Sequence, residues 1–165
     1  PIGIYEALLY WKLYSQSTFP SNAAKWLPQH ASNKRKEAQD SLVQLLQELP
    51  TSLDRNPSAI VDRVKWLGKF QLPFMASSCA LPVRTTFLHF LYPSVVPIFD
   101  QMVLKAVGMW FKDANHKTTV LKEYLPIAWG LTELHAQHVS SFTKEGPIRV
   151  IDMALWVSRS CEIPI

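Results

Sequence analysis

Proline decides what this chain can fold into. The sequence carries 12 prolines against 5 glycines in 165 residues. Nearly all of these prolines fall between runs of apolar residues at helical spacing. Proline is tolerated in the first turn of a helix and breaks its interior, so here it separates one short helix from the next. Few stretches alternate apolar and polar residues with the period of two that a half-buried strand needs. The expectation is an all-α fold of seven or eight helices, forming one domain over residues 1–165. With 48% hydrophobic and 12% aromatic residues, the chain can fill a substantial core. It opens at Pro1 without a methionine, as a piece of something longer would.

Taken in order, residues 4–15 read as a helix that is apolar over most of its circumference, with Ile4, Leu8 and Trp11 on one line and Tyr5, Leu9 and Leu13 on another. Ser21 is placed to cap a short helix holding Trp26. Asn33 precedes a helix over 34–49 whose apolar stripe is Ala38, Leu42, Leu45, Leu46 and Leu49. Asn56-Pro57 is a cap followed by proline at the first helical position, and opens a helix to about residue 70. Pro82 starts a helix over 83–91, with Val83, Phe87, Phe90 and Leu91 on one side. Asp100 opens another over 101–111. A long helix from Thr118 or Thr119 to about residue 139 contains Pro126, which should kink or split it. Pro147 opens the last helix, 148–158, in which Arg149 and Asp152 are spaced to pair locally.

The least polar long segment is 72–108. It holds the order Leu88-His89-Phe90, Pro93, then Val96-Pro97-Ile98-Phe99-Asp100, then a short apolar helix. This order resembles the helix-hairpin-helix DNA glycosylase superfamily, in which a segment ending in Pro-hydrophobic-Asp puts a catalytic aspartate at a helix start. The resemblance covers about a fifth of the chain. It implies a helical body like that of those enzymes, with Asp100 as the aspartate. Where the family's hairpin reads Leu-Pro-Gly-hydrophobic-Gly, this chain has Leu72-Pro73-Phe74-Met75-Ala76-Ser77, with no glycine. Where many members carry a catalytic lysine, the nearest candidate is Arg84, which stays protonated and cannot act as an amine nucleophile.

A net charge of +4 and a pI near 9.1 permit an anionic partner such as a DNA or RNA backbone. The cations placed to contact phosphates are Lys34, Arg35 and Lys36 in one helix's first turn, Lys65 and Lys69 on the next, and Arg84. The first three oppose the helix dipole, a local cost that points to function. Cys79 and Cys161 lie far apart without metal-ligand spacing, and read as small apolar residues in a reducing compartment. His135 and His138 sit three apart near Glu133 but lack the HExxH pattern, so no metal is expected. No Gly-rich phosphate loop, nucleophile elbow or cofactor motif is present. No apolar run suits a membrane span, and the expected location is cytoplasmic.

Each candidate also has a plain structural reading. Asp100 suits an N-cap. His89 suits a hydrogen-bonded core position as well as a pocket beside Asp100. Trp26, Trp66, Trp129 and Trp156 fall on apolar stripes and suit core packing. The sequence therefore favours a glycosylase-like domain that binds nucleic acid, with Asp100 a cap or a relic of catalysis. The alternatives are a non-enzymatic module meeting a protein partner through its aromatic surface, and an active N-glycosylase using Asp100.

Overall fold

A computed structural model describes residues 2–13, 33–75, 81–113, 116–139 and 146–158. Among them the regular structure is entirely helical. The helices are α1 (Ile2–Leu13), α2 (Asn33–Glu48), α3 (Pro57–Leu67), α4 (Leu81–Leu91), α5 (Gln101–Ala106), α6 (His116–Leu134), α7 (Ala136–Val139) and α8 (Pro147–Ser158). The Ser21 helix with Trp26, both cysteines, Ala76 and Ser77, and the Asn33 side chain lie outside the described residues.

The punctuation works as the residues dictate. Asn56 accepts the Ala59 N–H at 3.1 Å and Pro57 follows at the first helical position of α3. The helix after Asp100 is shorter than its apolar run. It stops at Ala106, and Gly108 then takes φ 70°. The Gly108 N–H reaches the Lys105 carbonyl at 3.1 Å, and the Met109 N–H reaches that of Leu104 at 2.9 Å. This is a Schellman stop, which closes the helix whatever the hydrophobicity beyond it. Pro126 sits inside α6 without splitting it. Its missing N–H falls on an exposed face, where water can serve the carbonyl one turn back. The break comes at His135 instead, between α6 and α7.

One apolar core joins the helices. Tyr5 and Leu9 of α1, Leu42 and Leu45 of α2, Ile60 and Leu67 of α3, Leu88 of α4, Leu104 of α5 and Leu121 and Leu125 of α6 are all buried within it. α1 packs on α2 and α4, α3 on α4 and α6, and α8 on both α5 and α6. On α1 the buried line is Ile2, Tyr5, Leu9 and Leu13, while Ile4 is 78% exposed. On α4, Phe90 and Leu91 face outward, against the sequence expectation.

Arg84 is inside rather than on the surface where a phosphate contact would need it. Its Nε donates to the Met75 carbonyl at 2.7 Å and a terminal nitrogen to that of Val64 at 3.3 Å. It thus serves carbonyls that the end of α3 and the following turn leave open, and burial lowers its pKa. The guanidinium fits because residue 68 is glycine: a Cβ there would stand 2.5 Å from an Arg84 terminal nitrogen. Gly68→Ala is expected to push the guanidinium off these carbonyls and cost about 1–3 kcal/mol in urea unfolding, the range for buried groups left unpaired.

The turn at 72–75 carries the one described non-glycine residue of positive φ, Phe74 at 59°. Its neighbours hold it: Tyr5 Oη donates to the Pro73 carbonyl at 2.6 Å, and the Met75 N–H to that of Leu72 at 3.0 Å. A left-handed L-residue costs about 1–2 kcal/mol. Phe74→Gly should therefore be more stable than Phe74→Ala by about 1 kcal/mol, although both lose the same ring. Equal melting temperatures for the two would contradict this conformation.

Candidate functional site

Residues 93–100 link α4 to α5 without belonging to any helix, so their backbone groups need partners elsewhere. Pro93 and Pro97 contribute no N–H at all. The Tyr92 carbonyl accepts the Val95 and Val96 N–H groups at 3.0 Å, Arg55 donates to the Ser94 carbonyl at 3.3 Å, and side chains from three helices serve others. Trp129 Nε1 donates to the Val95 carbonyl at 2.7 Å. His89 Nδ1 meets the Val96 carbonyl at 2.7 Å, and since a carbonyl only accepts, that nitrogen carries the hydrogen. An Asp152 oxygen accepts the Ile98 N–H at 3.0 Å, and Thr85 Oγ1 accepts the Phe99 N–H at 3.1 Å. Residues 96–99 are buried under this clamp.

The clamp delivers Asp100. One of its oxygens caps α5 by accepting the Met102 N–H at 2.9 Å, and the other pairs with Lys12 Nζ at 2.6 Å. The Lys12 side chain is 8% exposed and that of Asp100 25%.

Both residues line a cleft of about 760 Å³ between α1, α8 and the link. α1 contributes Tyr10, Trp11 and Lys12; the link gives Ile98 and Asp100; α5 gives Val103. α8 contributes Arg149, Asp152, Met153, Trp156 and Val157. The Arg149 guanidinium lies over the Trp11 ring, 5.2 Å from its centroid, and Phe90 meets the same ring edge-on at 5.8 Å. The wall is thus aromatic, with cations and carboxyl groups set into it.

The two carboxyl groups sit in opposite environments. Asp100 has an ammonium and a helix N-terminus against it. Asp152 is 2% exposed and contacts the Tyr124 hydroxyl at 3.3 Å besides the Ile98 N–H. Burial pushes the Asp152 pKa up to about 7, against the opposing pull of the Ile98 N–H, Arg149, Tyr124 and Lys12.

The other expected residues lie elsewhere. His89 is 4% exposed and belongs to the clamp, not to the cleft wall. Arg35 pairs with Glu6 through two contacts of 2.9 Å, so its place at the start of α2 has a structural reason. Lys34, Lys36, Lys65 and Lys69 are exposed, and none lines the cleft. Glu133, close to His135 and His138 in sequence, pairs with Arg55 at 2.9 Å. Among the described residues no three His, Cys, Asp or Glu side chains gather as a metal group. No helix among them is long and apolar enough to cross a membrane.

Sequence reasoning missed Lys12 as Asp100's partner, and gave Asp152 to a local pair with Arg149. It also placed Trp156 in the core, whereas that ring is 43% exposed on the cleft wall. Trp129 is buried as expected. Compared with models of protein families, with curated proteins and with solved structures, the chain matches none.

Proposed function

We propose that this chain is a glycosylase-like helical domain that binds nucleic acid and takes an extruded base into the cleft beside Asp100. The observation that carries this reading is the position of Asp100. The residue on which the sequence resemblance rests lies on a cleft whose volume falls within the usual range for ligand sites. An unstacked base needs aromatic faces, and Tyr10, Trp11 and Trp156 line the same wall. Arg149 adds a positive charge to the cleft lining, which suits an anionic ligand. The positive φ of Phe74, at the place where the family's hairpin has its first glycine, adds support. Exposed Lys34, Lys36, Lys65 and Lys69 would hold the backbone outside the cleft.

Fluorescence titration with single-stranded and duplex oligonucleotides over a range of salt tests the proposal. Affinity should fall steeply as salt rises. Trp11→Ala should weaken single-strand binding by roughly tenfold or more, as loss of one stacking platform does. A second reading has its own support. Trp11, Phe90, Leu91, Met153, Trp156 and Val157 are all exposed apolar side chains on α1, α4 and α8. If no oligonucleotide binds even at low salt, a helical module for a protein partner replaces the first reading.

A further inference from the structure

The short helix α5 separates the cleft from a second hollow. Val103 lines the cleft, whereas Gln101, Leu104 and Lys105 line the hollow, which holds about 310 Å³. Its other wall is the chain that leaves α5. Gly108 turns that chain at φ 70°, and Met109 and Phe111 then pack against the core, with the Phe111 ring stacked on Phe99 at 6.4 Å. Trp110, between them, is left facing outward. It is 72% exposed, more than any other described aromatic side chain, and it borders the hollow. Cations stand beside it. Lys105 lines the hollow, Lys117 Nζ lies 4.7 Å from the centre of the Phe111 ring, and Lys112 is exposed two residues after Trp110. Residues 101–117 hold these three lysines and a single acid, Asp113, which accepts the His116 N–H at the start of α6. Among the described residues none of the three lysines stands in an ion pair.

We propose that the hollow at Trp110 is a second nucleotide site, and that the protein takes single-stranded nucleic acid, with one base in the cleft and a nearby base of the same strand on Trp110. This rests on the reading of the cleft as a base pocket and names the substrate class that the two sites together select. An aromatic face stacks with any base, and a lysine beside it meets the phosphate that follows. Lys105, on α5 itself, is placed for the phosphate that crosses from one site to the other. α5 holds the two sites about 10 Å apart, the width of a helix with its side chains. Neighbouring bases in a duplex strand are stacked about 3.4 Å apart. Bases that straddle α5 have therefore lost their stacking, which a single strand gives up readily and a paired strand does not. An anionic membrane surface also suits a tryptophan among lysines. It needs neither a concave site beside the ring nor a second aromatic site across the same helix, and both are present here.

The experiment is anisotropy titration of a labelled oligothymidylate of about twelve nucleotides, within the span that one binding groove covers, and of a hairpin duplex of equal length. Sedimentation with phosphatidylserine vesicles is run beside it. At the same low salt the wild type should bind the single strand about tenfold or more tighter than the duplex, as one added base stack would give. Trp110→Ala should weaken single-strand binding about tenfold and leave duplex binding unchanged. Its urea midpoint should match the wild type, because the ring is exposed. Lys105→Gln should lower the slope of log affinity against log salt by about 0.7, the share of one phosphate contact on a single strand. Single-strand binding that survives Trp110→Ala unchanged but falls with Trp11→Ala would overturn the inference and leave the cleft proposal standing. So would equal or tighter binding of the duplex. Absence of oligonucleotide binding at low salt would overturn both, and vesicle binding that then depends on Trp110 would give this surface to a membrane.

Discussion

Asp100→Asn is expected to cost about 2–3 kcal/mol of stability, although asparagine caps a helix about as well as aspartate. Capping alone predicts almost no loss. The added cost comes from Lys12. Its side chain is 8% exposed, and its ammonium stands 2.6 Å from the Asp100 carboxylate. Removing one partner of a buried ion pair leaves an uncompensated charge, worth about 3–5 kcal/mol when both groups are buried. The figure is set lower because Asp100 is 25% exposed and water can partly replace it. Lys12→Met in the Asp100→Asn background should then recover most of the loss, because the stranded charge is gone and the amide still caps. Asp100→Ala should lose about 1 kcal/mol more than Asp100→Asn, the value of the cap itself. Urea unfolding of these three variants and of Lys12→Met alone measures all of this. A loss below about 0.5 kcal/mol for Asp100→Asn, with no coupling to Lys12→Met, would show that Asp100 contributes to stability only as a cap.

The helices were legible because their boundaries depend on near neighbours. A cap, a proline or an apolar stripe is local, and Asn56-Pro57, Asp100 and Pro147 did mark helix starts. The site was only half legible, because it depends on which faces meet. α1 is apolar almost all round, so periodicity could not say that Tyr5 and Leu9 face the core while Tyr10 and Trp11 line a cleft. Lys12 then looked like an ordinary end-of-helix lysine. Only the approach of α1 to residue 100, 88 positions along the chain, makes it a buried partner. Asp152 did leave a signal. It stands four residues after Ile148 and next to Ile151, on the buried stripe of α8, where an acid is out of place. Local pairing with Arg149 was a sufficient explanation in sequence, but Arg149 in the fold covers Trp11. His89 and Arg84 show the converse. Both looked functional as polar residues in an apolar run, and both serve backbone carbonyls that short, proline-bounded links leave without partners.

Asp152 should also make stability depend on pH, in the direction opposite to most carboxyl groups. Its pKa rises from 3.8 to about 7 on folding. Between these values the folded protein holds a proton that the unfolded chain has lost. Stability must then fall as pH rises across that window. The contribution is fully present below about pH 4, is lost progressively up to about pH 7, and is constant above it. A displacement of about three units corresponds to roughly 4 kcal/mol. Tyr124, which contacts the carboxyl, does not titrate in this range, since burial and the Asp152 charge hold its pKa well above the usual tyrosine value. The wild-type curve sums every ionisable group, so it is not diagnostic alone. The difference between wild type and Asp152→Asn isolates the effect. An asparagine keeps an oxygen for the Ile98 N–H and carries no charge to bury. The variant should therefore gain on the wild type by about 4 kcal/mol between pH 4 and pH 8, as urea unfolding at each pH would read. A difference that stays level across the range would mean that Asp152 is already ionised in the folded protein at pH 4. Tyr124 and the Ile98 N–H would then be holding a charge rather than an acid.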